Sequence, residues 1–379
     1  MHGEAAVSTR RAPAPRALLA LPAAVAMVAG VDAGLTLLGV WSPVPSGRLG
    51  EAHGLLMVLG FVGTLIALER AVALRRPWGY LSPTLLGAGA LALLVPGLDR
   101  WAPTLLAGGA LSLCAVYVPL WRRQRDDAVL VSALGAVLAL GATLLVAGGA
   151  DVALTLPWLA GFLILTIGGE RLELARLAMP PSAGPTLVLS AMAITLAVPA
   201  ATMWPRAGGA VLGLAVLALA WWLASYDVAR RTVRSTGLPR FAAACMLAGQ
   251  AWLAVAGGVW LVVGHPADGP AYDAVVHAVF LGFAISMIMA HAPSILPAVT
   301  RVPLPYRSAM WVPWLLLQSS LVLRLWGGDA LGSDLAREVG GAGNAAALLL
   351  FFAVAISSAA LGPPRPPAVQ SPREKEAAR

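Results

Sequence analysis

The chain has 379 residues, 59% of them hydrophobic and 12% charged, with a formal net charge of +8 and a mean hydropathy of +0.80. That composition excludes a water-soluble globular protein of this size and describes a polytopic membrane protein. The basic residues lie in short loops between apolar runs, a topology signal that leaves no case for a nucleic-acid partner.

Runs long enough to cross ~30 Å of hydrocarbon fall at about 17–40, 52–74, 80–98, 102–121, 128–150, 154–178, 186–204, 207–226, 241–264, 272–298, 309–327 and 341–361. The reading is therefore all-α, a polytopic protein of twelve transmembrane helices within one domain, 17–361. The first run is too long for a signal-peptide core and reads as a retained span. The flanking stretches, 1–16 and 362–379, are rich in Pro, Ala and charge and read as disordered tails. Of the 26 Lys and Arg residues, 21 fall on the side shared by the two termini and five on the other. The positive-inside rule then predicts a cytoplasmic-membrane protein with both termini in the cytoplasm. Cys114 and Cys245 each lie inside an apolar run, and no CxxC or CxxCH occurs, so neither a thiolate zinc site nor a covalently attached c-type heme is expected.

An internal pattern repeats three times. Gly60-Phe61, Gly161-Phe162 and Gly282-Phe283 are each followed, nine residues after the Gly, by an ionisable residue: Glu69, Glu170 and His291. Two copies continue as Glu-Arg (Arg70, Arg171), with a further Arg five residues on (Arg75, Arg176). The copies sit in predicted helices 2, 6 and 10, which suggests three pseudo-symmetric four-helix units. A major-facilitator transporter also has twelve spans, but it is built as two six-helix halves. The four-helix period disfavours it.

Three of the five histidines, His53, His277 and His291, lie within spans, where an ionisable group needs a reason. Predicted helix 2 starts near Ser46 after the Pro43/Pro45 breakers, and helix 10 near Asp268 with Pro270 in its first turn. His53 is then seven residues beyond Ser46 and His277 seven beyond Pro270, which puts both at one depth ~10 Å below the helix ends. Two neutral imidazoles at one level suit the two axial positions of a six-coordinate heme iron. The alternative is that each merely hydrogen-bonds a neighbouring helix. Asp273, four residues before His277, would orient that imidazole. Asp32, Arg48 and Arg100 are candidates for supporting the heme ligands or pairing with heme propionates, and Gln250, Gln318 and Arg324 for lining the interior.

"AHGLLMVLGF" in helix 2 resembles the His-Gly-x-x-Met segment of heme–copper oxidase subunit I, and "YDAVVHAVFLGFAISMIMAHAPSILP" resembles that family's tenth helix. The resemblance implies twelve helices in three four-helix arcs, with His53 and His277 as axial ligands of a low-spin heme b. The oxidase copper ligands have no counterpart: "LPWLAGFLILTIGGERLELARL" and "PTLVLSAMAITLAV" contain no His, and Val275 stands two residues before His277. No oxidase-type copper and no oxygen-reducing centre is expected. The apolar, Met-rich "GFAISMIMAHAPSILPAVTRVP" is similar to the tenth helix of the NnrS family, twelve-helix membrane proteins tied to nitric-oxide stress. The implied function is a heme-binding membrane protein for electron transfer or a nitric-oxide-linked response, with a redox partner the sequence does not name and no catalytic residue assigned.

Glu69, Glu170 and His291 should sit near the other membrane face, some 21–24 Å deeper than the paired histidines. Two readings stand. Arg70, Arg75, Arg171 and Arg176 pair with Glu69, Glu170 and Glu173 and lock helices 2, 6 and 10 together. Otherwise the two carboxylates and the imidazole form a metal or proton site. That second reading carries the alternative functions, a proton-coupled transporter or an accessory protein for heme or metal delivery.

Overall fold

A computed structural model describes residues 15–363 of the chain. Residues 1–14 and 364–379, most of the two tails read as disordered, lie outside the described residues; Pro15 and Arg16 open a short 3-10 helix, Pro15–Ala20. Everything described is helix, turn or loop.

In chain order the principal helices are α1 (Leu21–Leu38), α2 (Gly47–Leu74), α3 (Leu81–Leu94), α4 (Ala102–Gln124), α5 (Asp127–Ala147), α6 (Val152–Ala175), α7 (Ala183–Met203), α8 (Pro205–Tyr226), α9 (Gly237–Val263), α10 (Gly269–Thr300), α11 (Trp311–Val322, continued by Leu323–Ala330) and α12 (Asp334–Leu361). Among the described residues, ten helices are long and apolar enough to cross a membrane. The other two are α3 and α11. With 14 residues, α3 extends only ~21 Å, because Pro96 and Gly97, at φ +85°, stop it early. The second half of α11 carries Arg324 and Asp329 and is wound as a π-helix.

Local chemistry sets the ends. Gly39 takes the left-handed conformation, φ +78°, and its N–H closes onto the Leu35 and Thr36 carbonyls, so α1 stops there. The Asp126 carboxylate accepts the Ala128 N–H at 3.1 Å to open α5. Ser46 and Asp268 hold the N-cap positions of α2 and α10, as the Pro-rich breakers suggested, but neither side chain makes a cap hydrogen bond.

Each helix packs on its neighbours in sequence. In addition α1 packs on α3, α5 on α7 and α9 on α11, while α12 returns to α1. Helices α2, α6 and α10 touch one another pairwise. They are also the least exposed: 78% of the most apolar window is buried in α2 and in α6 and 61% in α10, against 33% in α1, α7 and α12. Lipid offers backbone groups no hydrogen bonds, so helices carry the span and small residues set how closely they approach. Gly340 shows this: a Cβ there would lie 2.6 Å from the Arg324 backbone nitrogen, so the glycine is what brings α12 onto α11.

Candidate functional site

One end of the bundle contains a cavity of about 310 Å³, within the ~300–1,000 Å³ range of small-molecule sites. Its walls come from the last turns of α1, the first turns of α2, α6, α10 and α12, and Arg324 of α11. Most are apolar: Leu35, Val58, Leu156, Phe280 and Leu348 among them. The polar exceptions are His53, Tyr272, Asp273, His277, Arg324, Arg337 and Asn344, with Glu51 exposed at the rim.

Both sequence-predicted histidines therefore face the same space. Their ring geometry is also alike. His53 Nδ1 lies 2.7 Å from the Gly30 carbonyl oxygen, and His277 Nδ1 lies 2.9 Å from that of Asp273. A carbonyl only accepts, so in each ring Nδ1 is the donor, and Nε2 is the nitrogen left without a protein partner. That is the tautomer of a metal-ligating histidine, with the second nitrogen anchored by protein.

The anchoring is layered. Asp273 Oδ1 is 3.2 Å from His277 Nδ1, and both Asp273 carboxylate oxygens accept from Arg324, Oδ2 from Nε at 2.8 Å and Oδ1 from Nη2 at 2.7 Å. The fork geometry of guanidinium on carboxylate holds Asp273, and through it the imidazole. On the other side, Gly34 makes room for the His53 ring, whose Cε1 would lie 2.9 Å from a Cβ at that position. Just past both histidines the helices are π-wound, over Leu56–Gly63 in α2 and Ala278–Ile285 in α10. Such windings recur at functional sites because the extra residue per turn re-aims neighbouring side chains.

Several expectations are corrected here. Arg48 does not reach the cavity: its guanidinium donates to the Leu93 and Leu94 carbonyls at 2.6 and 3.1 Å and finishes α3. Arg100 stacks over Trp101, 5.7 Å from the ring centroid. Asp32 is buried and accepts the Val44 N–H at 3.2 Å, tying down the loop after α1. The cations in the cavity are Arg324 and Arg337 instead. Arg337, Tyr272 and Asn344 escaped the sequence reading; the signal for Arg337 was a charge beside the Gly340-Gly341 pair at the head of an apolar run. Asn344 donates to Ser320 Oγ at 2.7 Å, while its Oδ1 is buried without a partner. Gln250, which is buried, reaches Asp227, and Gln318 bridges Trp252 and Ser286; both sit between helices, outside the cavity.

The polar residues at the opposite end divide into two groups. Arg70, its side chain 6% exposed, contacts Glu69, Glu170 and Glu173 at 3.2, 3.4 and 3.1 Å. Arg171 turns the other way, forked onto Asp227 at 2.8 and 2.9 Å and donating to His291 Nε2 at 2.6 Å. His291 is thus separated from the two glutamates, and Arg70 is buried rather than reaching for headgroups. Arg176 pairs with Asp126. Among the described residues no three His, Cys, Asp or Glu side chains converge to hold a metal ion. A pair of imidazoles suits a metal only where something else supplies the remaining ligands, as a macrocycle does.

Fold and site together define a multi-pass, all-helical membrane protein with a paired-histidine cavity at one end of its helices. A family described as a domain of unknown function, DUF8744, matches residues 16–360, and the chain belongs to it. No curated protein and no solved structure matches the chain.

Proposed function

We propose that this chain is a cytoplasmic-membrane protein of twelve helices in three four-helix units that binds a b-type heme between His53 and His277 and passes single electrons. The observation that carries this reading is the shared cavity into which two histidines, on α2 and α10, bring Nε2 free and Nδ1 tied to a carbonyl. The three-unit arrangement is supported by the recurring α1–α3, α5–α7 and α9–α11 contacts and by the meeting of α2, α6 and α10 at the centre. Cytoplasmic termini are supported by the asymmetry of Lys and Arg, with 21 of 26 on their side. Relation to the NnrS family, and with it a nitric-oxide-linked role, rests on the tenth-helix resemblance.

The donor set fits the group. His53 and His277 would hold the iron; of the two cations lining the cavity, Arg324 is forked onto Asp273, and Arg337, 3.6 Å from the exposed Asp334, would be the one to meet carboxylate substituents. A bis-histidine heme supplies a one-electron couple at iron. The rest is done by the chain. The Gly30 and Asp273 carbonyls fix the imidazole tautomer and raise the basicity of Nε2. Arg324 keeps Asp273 in place, and the cavity walls around the histidines are largely apolar.

Protein purified after heme-supplemented expression should show the sharp reduced α-band of a low-spin b heme. Replacing His53 or His277 with Ala should abolish it, and His291→Ala should leave it intact. A colourless wild-type protein would remove the basis of the reading.

A further inference from the structure

The end of the bundle opposite the cavity holds an imbalance of charge. Arg70 Nη2 lies 3.2 Å from Glu69 Oε1 and 3.4 Å from Glu170 Oε1, and Nη1 lies 3.1 Å from Glu173 Oε2. Three carboxylates share one guanidinium. The neighbouring cations are committed elsewhere: Arg171 to Asp227, and Arg123 to the Ala73 and Leu74 carbonyls. Glu173 is 48% exposed and water can screen its charge, but Glu170 is 14% and Glu69 26% exposed, and both press on the same Nη2. A guanidinium neutralises one of them. Ionising the other as well would place like charges together out of water, which is strongly disfavoured unless a proton intervenes.

A second observation points to the same ligand. Tyr117 of α4 is 2% exposed; its hydroxyl lies beside Ser132 without a well-formed hydrogen bond, and it feels the charges of Arg70, Glu170 and Glu69 without bonding to them. A phenol donates to an ionised carboxylate and accepts from a protonated one, so it serves both states of such a site. Arg70 Nε is buried without an acceptor too. A divalent cation would have to displace the guanidinium, and no three metal-ligating side chains converge there among the described residues.

We propose that Glu69 and Glu170 share one exchangeable proton beside Arg70, making this end of the bundle a proton-binding site, with Glu173 as its exit to water. Uptake converts one carboxylate to a carboxylic acid, and release returns the proton to solvent; no electron or other reactant takes part. Glu173 is three residues after Glu170 on α6 and contacts the same guanidinium, so the proton's path from the buried pair to the surface runs along a single helical turn. The site is independent of any heme in the distant cavity.

Infrared spectroscopy of the full chain in lipid nanodiscs tests this. At neutral pH the wild type should show the carbonyl stretch of a protonated carboxyl that shifts in D2O. Glu170→Gln and Glu69→Gln should each remove or displace it, Glu173→Gln should keep it but slow its exchange, and the conservative Glu170→Asp should keep it if Glu170→Gln does not fold. His53→Ala should leave it unchanged, which separates this outcome from that of the heme reading. Absence of a protonated-carboxyl band at neutral pH, or a band unaltered in both Gln variants, would overturn the proposal in favour of a purely structural ion cluster.

Discussion

His53 and His277 lie on helices separated by more than two hundred residues of chain, yet they face one cavity with the same nitrogen tied down. Nδ1 meets the Gly30 carbonyl at 2.7 Å in one and the Asp273 carbonyl at 2.9 Å in the other. Two packed core histidines would be expected to satisfy both nitrogens. Here each keeps one nitrogen for the space between them.

Gly34→Ala should disturb His53 without removing any polar group. The added Cβ would stand 2.9 Å from Cε1 and 3.2 Å from Nδ1 of the ring, so the imidazole must turn or α1 must retreat. Overpacking of this kind costs about 1–3 kcal/mol. We expect a folded protein whose heme spectrum changes from low-spin to mixed-spin, read by absorption and electron paramagnetic resonance. An unaltered spectrum would show that the ring has slack.

Asp273→Asn should weaken heme retention by about 10–100-fold, the usual penalty for removing the partner of a metal-bound histidine. The substitution removes the charge facing Arg324 and loosens the hold on His277 Nδ1. Heme titration of apo-protein measures it. If affinity held while thermal stability fell, Asp273 would serve the helix packing alone.

Arg48→Ala distinguishes the two roles open to that residue. Because Arg48 donates to the Leu93 and Leu94 carbonyls, its loss should lower stability by about 1–3 kcal/mol and leave heme affinity within twofold. A large loss of heme binding would restore Arg48 to the propionates.

Asp227→Asn leaves Arg171 buried with half its fork gone, and removal of one partner of a buried ion pair typically costs about 3–5 kcal/mol. Thermal unfolding in detergent should show a marked fall. The double replacement Arg171→Met with Asp227→Leu should be milder than either single change, because no charge is stranded. If the double variant were the least stable, the pair would be contributing more than its own satisfaction.

The sequence by itself determined the class of fold, because hydrocarbon accepts only backbone whose polar groups are satisfied within the segment, and that requirement writes long apolar runs into the chain. It also suggested that His53 and His277 lie near one level, since Pro, Ser and Asp mark helix starts; in the structure the two are six and eight residues past Gly47 and Gly269, an offset of ~3 Å along the helices. The length of α3, cut by Pro96-Gly97, and the π-winding of α11 were less legible. Which way each arginine turns was decided only by tertiary structure. Arg48 looked like a cavity residue and ends α3; Arg324 and Arg337, from the opposite end of the chain, occupy the cavity; Arg70 and Arg171, equivalent in the repeat, face different partners. Spacing along a helix fixes depth and face relative to its own axis. The rotation of that axis against its neighbours is set by where glycines such as Gly34 and Gly340 permit close approach, and that is a property of pairs of helices.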